Sequence, residues 1–242
     1  MLSKSKDKIR FLVKGIDHSY ANTLRRLMMS EVPTMAIEDL EIKKNNSILY
    51  DEMVAHRMGL IPLKTDVGSF DEKSEVTFTL KAKGPGYAYA SDMKTKDKKC
   101  KPVYPKMPIV KLLKDQDIEL EATAVLGVGS KHAKWSPGTI HYVQQPKITI
   151  NNKSELLKKY KDKYPKAAFD SKGKLSKKKI LENNLVDACE GVNKELLKVE
   201  YEEENFIFHV ESWGQLEPKD IVLSAIEVFD KELTEFAKLV KQ

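Results

Sequence analysis

Apolar and polar residues alternate along KIRFLVKGID (residues 8–17), the pattern of a half-buried strand. A helix follows, capped by Asp17 or Ser19. Tyr20, Leu24, Leu27, Met28 and Val32 form its apolar stripe, with Asn22, Arg25 and Arg26 off it. Pro33 ends it. TMAIEDLEI then reads as a strand whose alternation changes parity between Ile37 and Leu40, which predicts a bulge. A short helix is expected around residues 51–58, closed by Gly59 with Pro62 beyond. EVTFTLKAK (residues 75–83) and DIELEATAVLGVG (residues 117–129) alternate as strands. The lysine-rich stretch between them reads as loop, with a short strand near residues 87–90. Residues 151–200 carry many lysines and few large apolar side chains, which predicts small helices and turns over a thin core. Residues 198–214 read as a strand pair or one long strand, with a turn near residues 203–205.

The final helix has the clearest pattern. Pro218 suits a first turn. Val222, Ile226, Phe229, Leu233, Phe236 and Val240 recur at helical spacing, and Ile221, Leu223, Ala225 and Val228 widen the apolar surface beyond one stripe. Such a helix buries more than one side, so a partner or a second layer is expected against it.

Composition narrows the function. The chain is 41% apolar and 32% charged, with net charge +6, compatible with nucleic acid or acidic protein nearby. Arginine occurs only as Arg10, Arg25, Arg26 and Arg57, in a chain that otherwise uses lysine. Arginine is a rigid fork for carboxylates and phosphates and lysine a hydrated point charge, so these four positions are candidates for fork geometry. Two cysteines, Cys100 and Cys189, far apart in sequence, argue against a disulfide framework. The N-terminal residues lack a signal-peptide core, and no stretch approaches the roughly 18 apolar residues of a membrane span. A cytoplasmic protein is expected.

Catalytic signatures are missing. GVGSK (residues 127–131) has neither a third glycine nor a Gly-Lys-Ser/Thr ending, and reads as a tight turn after a strand. His18, His56, His132, His141 and His209 show no metal-ligand spacing. The lysine runs KTKDKK (residues 94–99) and KGKLSKKK (residues 172–179) lack interleaved aromatics that would stack bases. The pattern is that of a scaffold.

HSYANTLRRLMMSEVPTMAIEDLEI, YDEMVAHRMGLIPL, GVGSKHAKWSPG and FHVESWGQLEPKDIVLSAIEVF, in that order over nearly the whole chain, resemble the alpha-like subunit of archaeal DNA-directed RNA polymerase. That family is similar to the eukaryotic third-largest subunit and, more distantly, to bacterial alpha. The resemblance implies an α+β fold. A discontinuous dimerisation domain, a sheet with two packed helices, would comprise residues 1–45 and 205–242. A mainly β insert domain would span 46–152 and a small ferredoxin-like subdomain 153–204.

The implied role is non-catalytic assembly of DNA-dependent RNA polymerase. The chain would pair with subunit L, be joined by subunits N and P, and form the platform for the two large subunits, which carry the catalytic magnesium. DNA would be met only indirectly, within the whole enzyme, and no membrane would be involved. Arg25 and Arg26 match the family's LRR helix, which implies that they dock a large subunit; Arg57 is a further candidate. Val222, Ile226, Phe229, Leu233, Phe236 and Val240 are the implied subunit L interface. Many archaeal members bind an iron–sulfur cluster through cysteines in the subdomain. The corresponding stretch here, about residues 153–199, has only Cys189. Four thiolates are the usual ligand set, so no cofactor is expected and the subdomain reads as degenerate, left to pack against a neighbouring subunit. Two competing classes make distinct predictions. A nucleic-acid-binding protein would show salt-sensitive DNA binding, and a stand-alone enzyme would turn over as a single chain.

Overall fold

The computed structural model describes residues 1–71, 73–153 and 155–240. Strands β1 (Ser3–Lys4) and β2 (Lys8–Lys14) pair antiparallel, with Ser3 opposite Arg10. Helix α1 (His18–Ser30) buries Ala21, Leu24, Leu27 and Met28. The stripe read from sequence is therefore rotated at its start. Tyr20 is exposed and packs edge-on against Phe229 at 5.9 Å, while Ala21 takes the buried position.

Strand β3 (Thr34–Asn45) has the expected register shift between Ile37 and Asp39, and a second between Ile42 and Lys44. Helix α2 (Asp51–Gly59) buries Val54 and Met58. Strands β4 (Glu75–Lys83), β5 (Gly86–Tyr89), β6 (Pro108–Leu112) and β7 (Asp117–Gly127) follow. β8 (Gly138–Ile150) leads to three short helices, α3 (Leu156–Tyr160), α4 (Lys177–Glu182) and α5 (Val186–Cys189). β9 (Leu197–Ser212) is one unbroken strand, so the turn expected near residues 203–205 does not form. The charged run there simply lies along an exposed stretch of strand. Helix α6 (Pro218–Val240) closes the fold.

The strands are ordered β1-β2-β9-β8 in one sheet, β3-β7-β4 in a second and β5-β6 in a third. The fold is α+β, with antiparallel pairing in the second and third sheets. Two compact units can be distinguished. The first is Met1–Phe11, Ser19–Tyr142 and Phe208–Gln242; the second is Leu12–His18 and Val143–Ile207. The first unit's largest core gathers Met35 and Ile37 from β3, Val54 and Met58 from α2, Phe78 and Leu80 from β4, and Ile118 and Leu120 from β7. Elsewhere in that unit Phe11 stacks on Phe208 at 5.3 Å, and Tyr142 lies 5.5 Å from the same ring. The second unit has its own core of Ile148, Tyr164, Leu175, Ile180, Cys189 and Leu196. Among the described residues no helix is long and apolar enough to cross a membrane.

Candidate functional site: an uncovered helix face

Helix α6 splits its surface. Pro218, Ile221, Ser224 and Ala225 are buried, so its first turns are fixed to the first unit. The positions singled out from sequence lie elsewhere. Val222 and Phe229 are half-buried, and Ile226, Leu233, Phe236 and Val240 are exposed, Phe236 to 64% and Val240 to 69%. Leu223 and Leu239, outside that set, are also exposed. Every residue from Lys231 to Val240 is exposed. Two to three helical turns thus present large apolar side chains to water, a contiguous surface of the kind that marks protein–protein contact.

The arginines do not act as a pair. The Arg25 guanidinium donates through Nη2 and Nε to Asn22 Oδ1, at 2.9 and 3.2 Å, and through Nη1 to Met29 Sδ at 3.4 Å. Arg26, one residue on and exposed, lines an open groove with Asn22, Thr23, Ser30, Glu31 and Glu232. Arg57 donates through Nη2 to the Pro108 carbonyl at 2.8 Å, which ties α2 to the start of β6. All the ion pairs seen among the described residues use lysine.

The GVGSKHAKWSPG stretch works inside the molecule. Gly127 backs onto Trp135: a Cβ there would lie 2.6 Å from indole Cδ2 and 2.8 Å from Nε1. Trp135 Nε1 donates to the Val125 carbonyl at 3.2 Å, and its own carbonyl accepts from Thr34 Oγ1 at 2.6 Å. Lys134 Nζ donates to the Ile37 carbonyl at 2.9 Å, beside the bulge, and pairs with Glu38. Gly129 passes the end of α1, where a Cβ would meet the Met29 carbonyl oxygen. The tight turn read from sequence is present, and the glycines serve close approach as well.

Sequence reasoning missed a second apolar surface. Leu60, Pro62, Tyr104, Met107 and Trp213 line an open groove of about 290 Å³. Its residues come from separate stretches with no shared periodicity.

Both cysteines are buried and free. Burial pushes the Cys100 thiol up to about 12, helped by the charge of Asp97, and burial raises Cys189 as well. A four-thiolate cluster needs four cysteines, and the two present lie in separate cores. No group of three or more His, Cys, Asp or Glu side chains among the described residues is arranged to hold a metal ion.

The site is thus an apolar helix face anchored at one end and uncovered along the rest, which defines a module for docking other protein chains. A profile of the RNA polymerase Rpb3/Rpb11 dimerisation domain matches residues 10–233. The DNA-directed RNA polymerase subunit Rpo3 of Methanobrevibacter smithii is 32% identical, covering 98% of this chain and 95% of its own length. That of Thermococcus kodakarensis is 35% identical, covering 99% and 97%. That of Methanothermobacter thermautotrophicus is 36% identical, covering 93% and 92%. The chain belongs to the Rpb3/Rpb11 dimerisation-domain family, among its archaeal, alpha-like members.

Proposed function

We propose that this chain is the alpha-like assembly subunit of a DNA-dependent RNA polymerase, and that it heterodimerises with a smaller subunit of similar fold, subunit L. The observation that carries this is the uncovered face of α6, with Ile226, Leu233, Phe236 and Val240 exposed on a helix whose base is fixed by Ile221 and Ala225. A matching helix laid along it would bury several large apolar side chains, each contributing about 1.5–3 kcal/mol before ordering costs. The heterodimer, with subunits N and P, then forms the platform for the two large subunits. Those subunits supply the chemistry of nucleotidyl transfer, and this chain adds no catalytic residue and no iron–sulfur cluster. It works in the cytoplasm.

In this reading residues 1–45 and 205–242 make the dimerisation domain, 46–152 the insert and 153–204 the small subdomain. β3 is shared, because it leaves α1 at Thr34 yet pairs along its length with β7. The test is co-expression with subunit L. The wild-type chain co-purifies with it, whereas Leu233→Glu combined with Phe236→Glu does not. Both side chains are exposed, so the variant's own melting temperature stays within a few degrees of wild type. Co-purification of the double variant at wild-type yield would refute the interface.

A further inference from the structure

The chain's positive charge is concentrated in one place. Residues 153–179 hold eleven lysines against Glu155, Asp162 and Asp170, a net of +8 in a chain whose total is +6, so all other residues sum to −2. Every one of these lysines is exposed. The fold of the second unit gathers several of them. The turn after Phe169 is held by Asp170, whose Oδ1 accepts from the backbone amides of Lys172 at 2.8 Å and Lys174 at 2.9 Å. Lys161 Nζ reaches that turn, 3.6 Å from where a Cβ on Gly173 would lie, and sits 5.9 Å from the Phe169 ring. Lys179 Nζ donates to the Phe169 carbonyl at 2.7 Å. Lys161, Lys172, Lys174 and Lys179 thus surround one turn.

Along residues 153–179 little offsets this charge; the acidic residues of the same unit lie mostly at 182–204. Asp170 is engaged by backbone amides, which hold its carboxyl below the usual range. Among the described residues one ion pair involves these lysines, Lys178 with Glu182 at 3.8 Å, both side chains open to water. Gathering so many like charges is unfavourable unless an anion answers them.

We propose that this lysine surface holds the sugar–phosphate backbone of nucleic acid. All eleven cations are lysine, which neutralises phosphates as a point charge without fixing a bidentate geometry. One observation favours nucleic acid over an acidic protein. No large hydrophobic side chain among the described residues 153–179 is exposed, so the surface lacks the apolar anchors of a protein interface. A polar, strongly positive surface is the signature of a nucleic-acid contact. The binding is sequence-independent, since nothing here reaches a base edge or offers an open ring for stacking.

The inference does not depend on the docking role of α6 and is tested on the full chain. A short fluorescein-labelled DNA duplex is titrated with protein over a salt series, with fluorescence anisotropy as the readout. A labelled polyglutamate peptide is titrated in parallel. Wild type binds the duplex at low salt, and its log affinity falls linearly with log salt. Lys161→Glu with Lys172→Glu and Lys174→Glu binds at least tenfold more weakly, and its salt slope is lower by about 3, close to one for each phosphate no longer neutralised. The same charge change at Lys94, Lys96 and Lys98 alters affinity less than threefold. Equal losses in the two triple variants would mean that only net charge matters, and would overturn the site. Polyglutamate binding at least as tight as duplex binding, abolished in the first variant, would assign the surface to an acidic protein instead. No duplex binding by wild type at low salt would also overturn the proposal.

Discussion

His209 is a residue whose chemistry the fold alters strongly. It stacks on His141 at 4.5 Å, and burial, then the charges of Arg10 and His141, push its pKa down to about 4. The unfolded chain binds this proton near the usual 6.5. Between those values the unfolded state carries more protons than the native state, so stability rises with pH. The contribution is complete above about 6.5 and is lost as pH falls toward 4. Scaled down for partial solvent screening, it amounts to about 1 kcal/mol. His209→Gln should flatten the stability profile between about pH 4 and 6.5, as followed by urea denaturation. An unchanged slope would place the acid sensitivity elsewhere. The sequence offered five histidines and no reason to choose this one, because its environment is made by strands far apart in the chain. Trp135 is similar. Its indole rests on Gly127 only because a tight 3-10 turn at residues 133–135 brings it back onto β7, an approach invisible to periodicity.

At the scale of elements, legibility followed local pattern. β4 alternates strictly and matches residues 75–83 end to end. β9 was ambiguous because its first half is exposed and charged, so composition mimicked a turn where hydrogen bonding with its neighbours keeps the chain extended. α6 was legible as a helix, and its surplus apolar width pointed to the uncovered face. α1 was legible too, but the roles of its arginines were not. Asn22 sits one turn before Arg25 and engages its guanidinium, which leaves Arg26 as the side chain with unused donors beside Glu31 and Glu232. If this helix docks a large subunit, Arg25→Ala with Arg26→Ala leaves the heterodimer with subunit L intact and weakens binding of the second-largest subunit. A charge-assisted interaction broken in a desolvated interface costs about 2–5 kcal/mol. The single variants should divide unequally, with Arg26→Ala responsible for most of the loss. The measurement is retention of purified heterodimer on the immobilised second-largest subunit. Wild-type retention of the double variant would remove α1 from the docking surface.

At the scale of the whole molecule, two compact units with separate apolar cores lie on one chain. The small core around Ile180, Leu175, Cys189 and Leu196 lies in the unit that carries the lysine-rich residues 153–179. Like-charge repulsion there works against compaction, and short helices such as α3 and α5 have little stability of their own. This core therefore has a narrow margin. Ile180 is fully buried within it, and Ile180→Ala removes apolar packing and leaves a cavity, at a cost of about 2–5 kcal/mol. That loss should fall on the second unit. Amides around Tyr164, Leu175 and Leu196 should exchange with solvent at least tenfold faster in the variant, while those of Phe78 and Leu120 in the first unit keep wild-type protection. Adding salt should partly restore protection of the second unit by screening the lysines. If both units lose protection equally, they unfold as one cooperative body, and the lysine-bearing unit cannot be treated as a separately stabilised platform.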